Sequence, residues 1–181
     1  MSSSDRPDAA TGPLARVRLV EGDITRQAVD AIVNAANAAL KAGGGVDGAI
    51  HRAAGPELQR ELDGIGGCQT GDCRLSRGYR LPAPWIIHCV GPVWRGGLFD
   101  EDRLLESCYR SALALARREG FRSLAFPAIS TGIYGFPKRR AAEIAAAAVL
   151  DELARSDAIA EVRFVLFDAE TTATYRSLGF G

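Results

Sequence analysis

Two kinds of segment alternate along this chain. Arg16-Val17-Arg18-Leu19-Val20 alternates polar and apolar through Leu19, the period of a strand with one face toward solvent. Ala31-Ile32-Val33 and Trp85-Ile86-Ile87-His88-Cys89-Val90 are short apolar runs, the mark of strands covered on both faces. Leu124-Ala125-Phe126 and Val162-Arg163-Phe164-Val165-Leu166-Phe167 predict further strands, and residues 73–81 a less regular one. Helical periods fall between them. Over residues 102–119, Leu104, Leu105, Cys108, Ala112, Leu115 and Ala116 share a face. Acids at its start and Arg117-Arg118 before Gly120 complement the helix dipole and supply a C-terminal glycine. Residues 138–153 place Ala141, Ile144, Ala145, Ala148 and Val149 on one stripe, and Pro137 stands where a first turn tolerates proline. Shorter helices are predicted over 47–54, 56–62 and 171–178. Strands interleaved with helices predict an α/β fold, a three-layer α/β/α domain around a mostly parallel sheet. Ligands of such sheets bind beyond the carboxyl ends of the strands, so the loops after strands are the places to search.

Composition narrows the field. The 181 residues suit one domain with a substantial core, here 15–181, without repeat or internal linker. Twenty-two basic and 22 acidic residues balance, which argues against a disordered tail and against a partner held by bulk positive charge. Only Lys41 and Lys138 could serve lysine chemistry. Cys68, Cys73, Cys89 and Cys108 form no C-x-x-C pair, and with only His51 and His88 beside them no zinc-ligand spacing emerges. Four reduced thiols in a cytoplasmic protein are expected, with Cys89 and Cys108 facing the core. No apolar run reaches the length of a membrane span. Residues 1–12 are rich in Ser, Asp, Pro and Thr and lack the apolar stretch of a secretory signal, so 1–14 are expected to form a flexible leader.

Two loops after strands stand out. One runs from Asn34 to Gly48 and contains Gly43-Gly44-Gly45. The other is Pro127-Ala128-Ile129-Ser130-Thr131-Gly132-Ile133-Tyr134-Gly135-Phe136-Pro137. Each leads into a helix. Glycine lets main-chain N–H groups turn inward, and a helix start adds partial positive charge, so the pair can hold a diphosphate without lysine. Neither loop fits G-x-G-x-x-G or G-x-x-x-x-G-K-[ST], which disfavours a Rossmann dinucleotide site and a P-loop. After the first strand, Glu21-Gly22-Asp23-Ile24-Thr25 offers a carboxylate for an exocyclic amine such as adenine N6 and an N–H for a ring nitrogen. Taken alone, Asp23 reads first as a turn or N-cap residue. Phe167, at the end of the last strand, either stacks on a purine or packs in the core.

Taken in order, these stretches resemble the macrodomain family, most closely its MacroD-type ADP-ribosyl hydrolases. The likeness lies in Gly22-Asp23-Ile24-Thr25, Val29-Asp30-Ala31-Ile32-Val33-Asn34-Ala35-Ala36-Asn37, Gly43-Gly44-Gly45-Val46-Asp47-Gly48 and Ile50-His51-Arg52-Ala53-Ala54-Gly55-Pro56. It continues through Gly78-Tyr79-Arg80-Leu81-Pro82, His88-Cys89-Val90-Gly91-Pro92 and Phe126-Pro127-Ala128-Ile129-Ser130-Thr131-Gly132-Ile133-Tyr134-Gly135. The resemblance implies a mixed sheet of about six strands and ADP-ribose as ligand. By position, Asp23 and the Ile24 amide, with Phe167 and Asp168 near them, would hold adenine. Gly44, Gly45, Val46 and the Ser130, Thr131, Gly132, Ile133 and Tyr134 amides would wrap the diphosphate and distal ribose. Asn37 and Asp47 would stand at that ribose, with the Tyr134 ring near it and Asn34 mainly structural. The Cys/His set of zinc-dependent relatives is missing, and Lys41 is misplaced for the lysine-dependent branch. No cofactor and no metal are implied.

The implied activity is hydrolysis of mono-ADP-ribose from modified Asp and Glu side chains, with deacetylation of O-acetyl-ADP-ribose. A placed water would attack either the anomeric carbon or the ester carbonyl. Asp47, or the diphosphate itself, would orient or deprotonate that water, and Asn37 would fix the ribose. Asp47 and His51, four residues apart, share a helix face. They form either an Asp–His dyad or a helix N-cap with a packing histidine. His88, within an apolar strand, is expected to be a core histidine with its polar atoms satisfied. The implied partners are ADP-ribose, O-acetyl-ADP-ribose and mono-ADP-ribosylated proteins, bound by a monomer. No membrane is expected, and nucleic acid only as an ADP-ribosylated substrate. Two other classes compete: a non-catalytic ADP-ribose reader, and an RNA-binding regulator, which zero net charge and the lack of an aromatic-basic stripe disfavour.

Overall fold

Period-two alternation in the buried strands sorts the core into two halves. Ala31 and Val33 face one side of the sheet and Ile32 the other. Ile87 and Cys89 likewise part from Ile86 and Val90. All of these are buried, so helices must cover both faces. The computed structural model describes residues 12–181. Its strands are β1 (Val17–Glu21), β2 (Ala31–Ala36), β3 (Cys73–Arg77), β4 (Trp85–Val90), β5 (Ser123–Phe126) and β6 (Glu161–Leu166). Its helices are α1 (Gly45–Ala54), α2 (Glu57–Ile65), α3 (Glu101–Glu119), α4 (Lys138–Arg155) and α5 (Ala169–Arg176). The sheet order is β1-β6-β5-β2-β4-β3, parallel throughout except for β3, which runs antiparallel to β4.

One core half joins α3, α4 and α5 through Leu105, Leu113, Val149 and Tyr175 to Phe126 and Phe164. The other joins α1 and α2 through Ile50, Leu58 and Leu62 to Ile32, Ile86 and Val165. Each such fully buried side chain contributes about 1.5–3 kcal/mol of transfer free energy. That is the expected three-layer α/β/α architecture, with a mixed sheet of six strands.

The structure corrects several expectations. Strand β2 continues through Asn34, Ala35 and Ala36, so Asn34 belongs to the sheet and its loop begins at Asn37. Helix α1 begins at Gly45, because a backbone capped by Gly44 starts the helix before its first apolar residue, and Asp47 falls in the first turn rather than at the N-cap. Helix α5 starts at Ala169, where the Asp168 side chain caps it by accepting the Thr171 N–H at 2.8 Å. Of the expected leader, residues 1–11 lie outside the described residues. Pro13 and Leu14 form part of a 3-10 turn, Pro13–Arg16, whose Arg16 guanidinium donates to the carbonyls of Leu153, Ser156 and Ile159.

The thiols are also corrected. Cys89 and Cys108 are buried as expected, but Cys73 and Cys89 form a disulfide, leaving Cys68 and Cys108 free. The antiparallel register of β3 on β4 sets Cys73 directly opposite Cys89, with Cα atoms 4.3 Å apart. Among the described residues, no helix is long and apolar enough to cross a membrane.

Candidate active site

The sheet order sets the carboxyl ends of β2 and β5 side by side, with β4 on the far side of β2. The two glycine-bearing loops leave from those neighbouring ends, and a cleft of about 290 Å³ lies between them. Gly43, Gly44, Gly45 and Val46 line it from the first loop. Ala128, Ile129, Ser130, Gly132, Ile133 and Tyr134 line it from the second, together with Ala35, Ala36, Asn37, Asp47 and Gly91. Among the described residues, no lysine or arginine lines the cleft and Asp47 is its one charged group. Lys41 instead pairs with Asp63 on α2, and Lys138 with Glu170.

Main-chain geometry makes the first wall. The first intrahelical bond of α1 runs from the Gly48 N–H to the Gly44 carbonyl. The N–H groups from Gly44 to Asp47 therefore have no acceptor within the helix, and the positive end of its dipole lies there. Gly45 takes φ +58°, a region that favours glycine. At Gly48 a Cβ would come 2.5 Å from the Gly43 carbonyl oxygen, so only glycine lets the loop fold against its own helix.

The second wall is a turn closed on itself. Phe136 donates its N–H to the Ser130 carbonyl at 2.9 Å, and Gly135 donates to Gly132 at 3.0 Å. Ser130 is held at φ +67° with its Oγ buried and unpartnered. The Tyr134 carbonyl accepts the Trp94 N–H at 2.8 Å, which ties this turn to the loop after β4. Thr131 does not line the cleft; its hydroxyl donates to the Ala128 carbonyl at 2.9 Å.

Asp47 is 6% exposed, and both of its oxygens accept hydrogen bonds. The Gly43 N–H reaches Oδ2 at 2.6 Å, a carboxylate in the first helical turn bonding back to the chain before the cap. The Asn34 amide reaches Oδ1 at 2.7 Å. His51 Nε2 stands 3.4 Å from the same Oδ1, one helical turn away, without another partner. Asn37 and Asp47 flank Gly43: a Cβ built there would lie 3.6 Å from Asn37 Nδ2 and 3.2 Å from Asp47 Oδ2. The Asn37 side chain binds both main-chain groups of Lys41, at 2.7 and 3.1 Å, so one Nδ2 hydrogen is left for a ligand.

The residues expected at the adenine end gather at the ends of β6 and β1, one and two strand spacings (about 5 and 10 Å) beyond β5. Phe167 lies beyond the last residue of β6 and is 86% exposed, which excludes the core reading. Asp23 Oδ1 accepts from the Thr25 hydroxyl and N–H at 2.7 and 2.9 Å. The hydroxyl bond holds its carboxyl below the ordinary range. Its Oδ2 stands 3.7 Å from Arg26 and remains open to a donor. The Ile24 side chain is buried in the core, leaving only its main chain for a ligand. Both Asp168 oxygens serve Thr171, whose N–H is the main reason that this carboxyl also sits low. Asp168 thus caps α5 while its side chain stays half exposed.

A family model, the Macro domain, matches residues 33–145. The chain belongs to the macro domain family. A Macro domain-containing protein of Methanosarcina mazei is 54% identical over 156 residues, covering 86% of this chain and 83% of that protein. An O-acetyl-ADP-ribose deacetylase of Salmonella gallinarum is 53% identical over 167 residues, 90% of this chain and 93% of the relative. The Oceanobacillus iheyensis macrodomain with ADP superposes with a TM-score of 0.85 at 41% identity, covering 88% of this chain and 87% of the other. The Trypanosoma brucei macrodomain in complex with ADP-ribose gives 0.88 at 42% identity, covering 94% and 72%.

Two residues of this macro domain escaped sequence reasoning as parts of the site. Gly91, directly after β4, lines the cleft, and a Cβ there would lie 2.2 Å from Ser130 Oγ. Its place after a strand that ends beside β2 was the available signal. Asn34 touches Asp47 from within β2, a contact that only the strand's true length reveals.

Proposed function

We propose that this macro domain binds ADP-ribose and hydrolyses its esters, releasing mono-ADP-ribose from modified Asp and Glu side chains and deacetylating O-acetyl-ADP-ribose. One observation carries the reading: a single buried carboxylate, Asp47, stands at the mouth of a helix start whose free amides face a second turn across the cleft. The diphosphate takes those amides, as phosphates take helix N-termini, and adenine lies toward Asp23 and Phe167. That spacing leaves the distal ribose between Asn37, Asp47 and Tyr134. The name of the Salmonella relative and the ADP-ribose held by the Trypanosoma protein support this assignment.

Hydrolysis then needs a placed water. Asp47 orients it and accepts its proton as the oxygen adds to the ester carbonyl. The carbonyl carbon–ribose oxygen bond breaks, and the proton passes to the departing ribose oxygen, which leaves as a hydroxyl, giving ADP-ribose and a free carboxylic acid. Such general-base help is worth about 10²–10⁴-fold. The Asn37 amide holds the sugar in line, and His51 borders the carboxylate on its helix side.

The test is incubation with a protein mono-ADP-ribosylated on glutamate and, separately, with O-acetyl-ADP-ribose, both in EDTA. Release of ADP-ribose from both is expected. Tight ADP-ribose binding without release over hours would make the domain a reader instead.

A further inference from the structure

Beneath the cleft, three fully buried polar side chains have no part in the chemistry above: Asn34, His88 and Ser76. Strand alternation sets them together. Asn34 follows Ile32 and His88 follows Ile86 by two residues, so both face the α1 side of the sheet, and the parallel register pairs Asn34 with His88 directly. Ser76 enters on the neighbouring β3. Their atoms form one line. Asn34 Nδ2 lies 2.7 Å from Asp47 Oδ1 and 3.0 Å from His88 Nδ1. His88 Nε2 lies 2.7 Å from Ser76 Oγ, which donates to the Arg77 carbonyl at 3.2 Å.

Counting hydrogens leaves one arrangement. A carboxylate only accepts, so the Asn34 amide nitrogen must face Asp47. The same Nδ2 faces His88 Nδ1, which must then accept, so the ring hydrogen sits on Nε2 and goes to Ser76 Oγ, whose own hydrogen goes to the Arg77 carbonyl. Burial, with His51 nearby, pushes the His88 imidazole down to about 3, so it is neutral near pH 7 and Nδ1 is bare. Nδ1 therefore accepts one Asn34 amide hydrogen, and the other goes to Asp47. An Asn34 amide turned the other way would set its oxygen against a carboxylate oxygen and a lone pair.

We propose that Asn34, His88 and Ser76 are positioning residues: a one-way hydrogen-bond relay from β3 through β4 fixes the rotation of the Asn34 amide, which in turn holds the Asp47 carboxylate in its reactive orientation. Asn34 completes its work through Nδ2 alone, since its buried Oδ1 has no partner. The relay rests on the hydrolytic reading of Asp47, and its two tests separate the claims.

The first test is NMR of the ¹⁵N-labelled full chain. The His88 imidazole should carry its hydrogen on Nε2 and stay neutral from pH 7 to pH 5. Of the two Asn34 side-chain amide hydrogens, one should move with Asp47→Ala and the other with His88→Leu. An Nδ1–H tautomer, a protonated ring, or one hydrogen answering to both substitutions overturns the relay, whatever the activity. The second test is kinetic. His88→Leu should lower kcat on O-acetyl-ADP-ribose about tenfold while ADP-ribose Kd stays within about twofold, the size of effect expected for a group that orients a reacting ligand. His88→Asn keeps an acceptor where Nδ1 stood and should restore most of the rate. Unchanged kcat, or loss of kcat and Kd together, overturns the proposal. Should His88→Leu not fold, Ser76→Ala removes the far end of the relay and should lower kcat with Kd unchanged. A wild-type protein without turnover refutes the hydrolase reading alone, and the amide resonances still decide the relay.

Discussion

Asp23 shows how one carboxylate can satisfy two readings at once. Its Oδ1 serves the Thr25 turn, as a capping residue should, while Oδ2 remains open beside the exposed Phe167 end of β6. A hydrogen bond to a charged group is worth about 1.5–3 kcal/mol, so Asp23→Ala should weaken ADP-ribose and ADP alike by about tenfold or more. Titration calorimetry with both ligands checks this, and an unchanged ADP affinity would remove Asp23 from the adenine role. His88 carries a second prediction. Its folded value is about 3 and its ordinary value 6.5, so below pH 6.5 the unfolded chain takes up a proton that the folded chain refuses. Stability should therefore fall as pH drops from 6.5 toward 3, by about 2 kcal/mol between pH 7 and 5 from this group. Low-lying carboxyls such as Asp168 add a loss of the same sign, mostly below their ordinary 3.8. Urea unfolding of wild type and His88→Asn at both pH values isolates the histidine, whose share of the slope should vanish in the variant. Among single residues, Asn37 and Asp47, which only the family resemblance set at one place, flank Gly43 because the loop turns back just before the first three residues of α1. The sequence left Phe167 open, because the last residue of β6 decides between core and solvent.

At the scale of elements, the site is a matter of where β2 stops and α1 starts. The apolar run Ala31-Ile32-Val33 hides three further strand residues, since alanine and asparagine carry little strand signal of their own and the β4 register holds them in place. Helix α1 reaches back to Gly45 because Gly44 caps it and Asp47 bonds the Gly43 N–H. The same closeness makes Gly48 a sensitive position. A methyl group there would meet the Gly43 carbonyl at 2.5 Å and push α1 off the loop whose amides it presents. Gly48→Ala should cost about 1–3 kcal/mol of stability, the range for overpacking a tight site. It should also weaken ADP-ribose binding although no functional side chain is lost. A variant with wild-type stability and affinity would show that the loop and helix need not touch in this way.

For the whole molecule, alternation of strand and helix disclosed the layers and the end of the sheet to search. Antiparallel β3 and the Cys73–Cys89 bond were beyond it. Both depend on which residues of β3 and β4 meet, and the cysteines' separation of 16 in sequence leaves that register undefined. The sheet order matters most for function, since it brings together loops that stand some ninety residues apart in the chain and sets the expected purine end one to two strands beyond β5. On the proposed reading, binding and turnover belong to different groups: main-chain amides would hold the nucleotide, and one side chain would react. Asp47→Ala separates them. Calorimetry with ADP-ribose should give a Kd within about threefold of wild type, while single-turnover hydrolysis of O-acetyl-ADP-ribose should slow by at least about 10². Equal loss of binding and rate, or a rate left intact, would contradict the account.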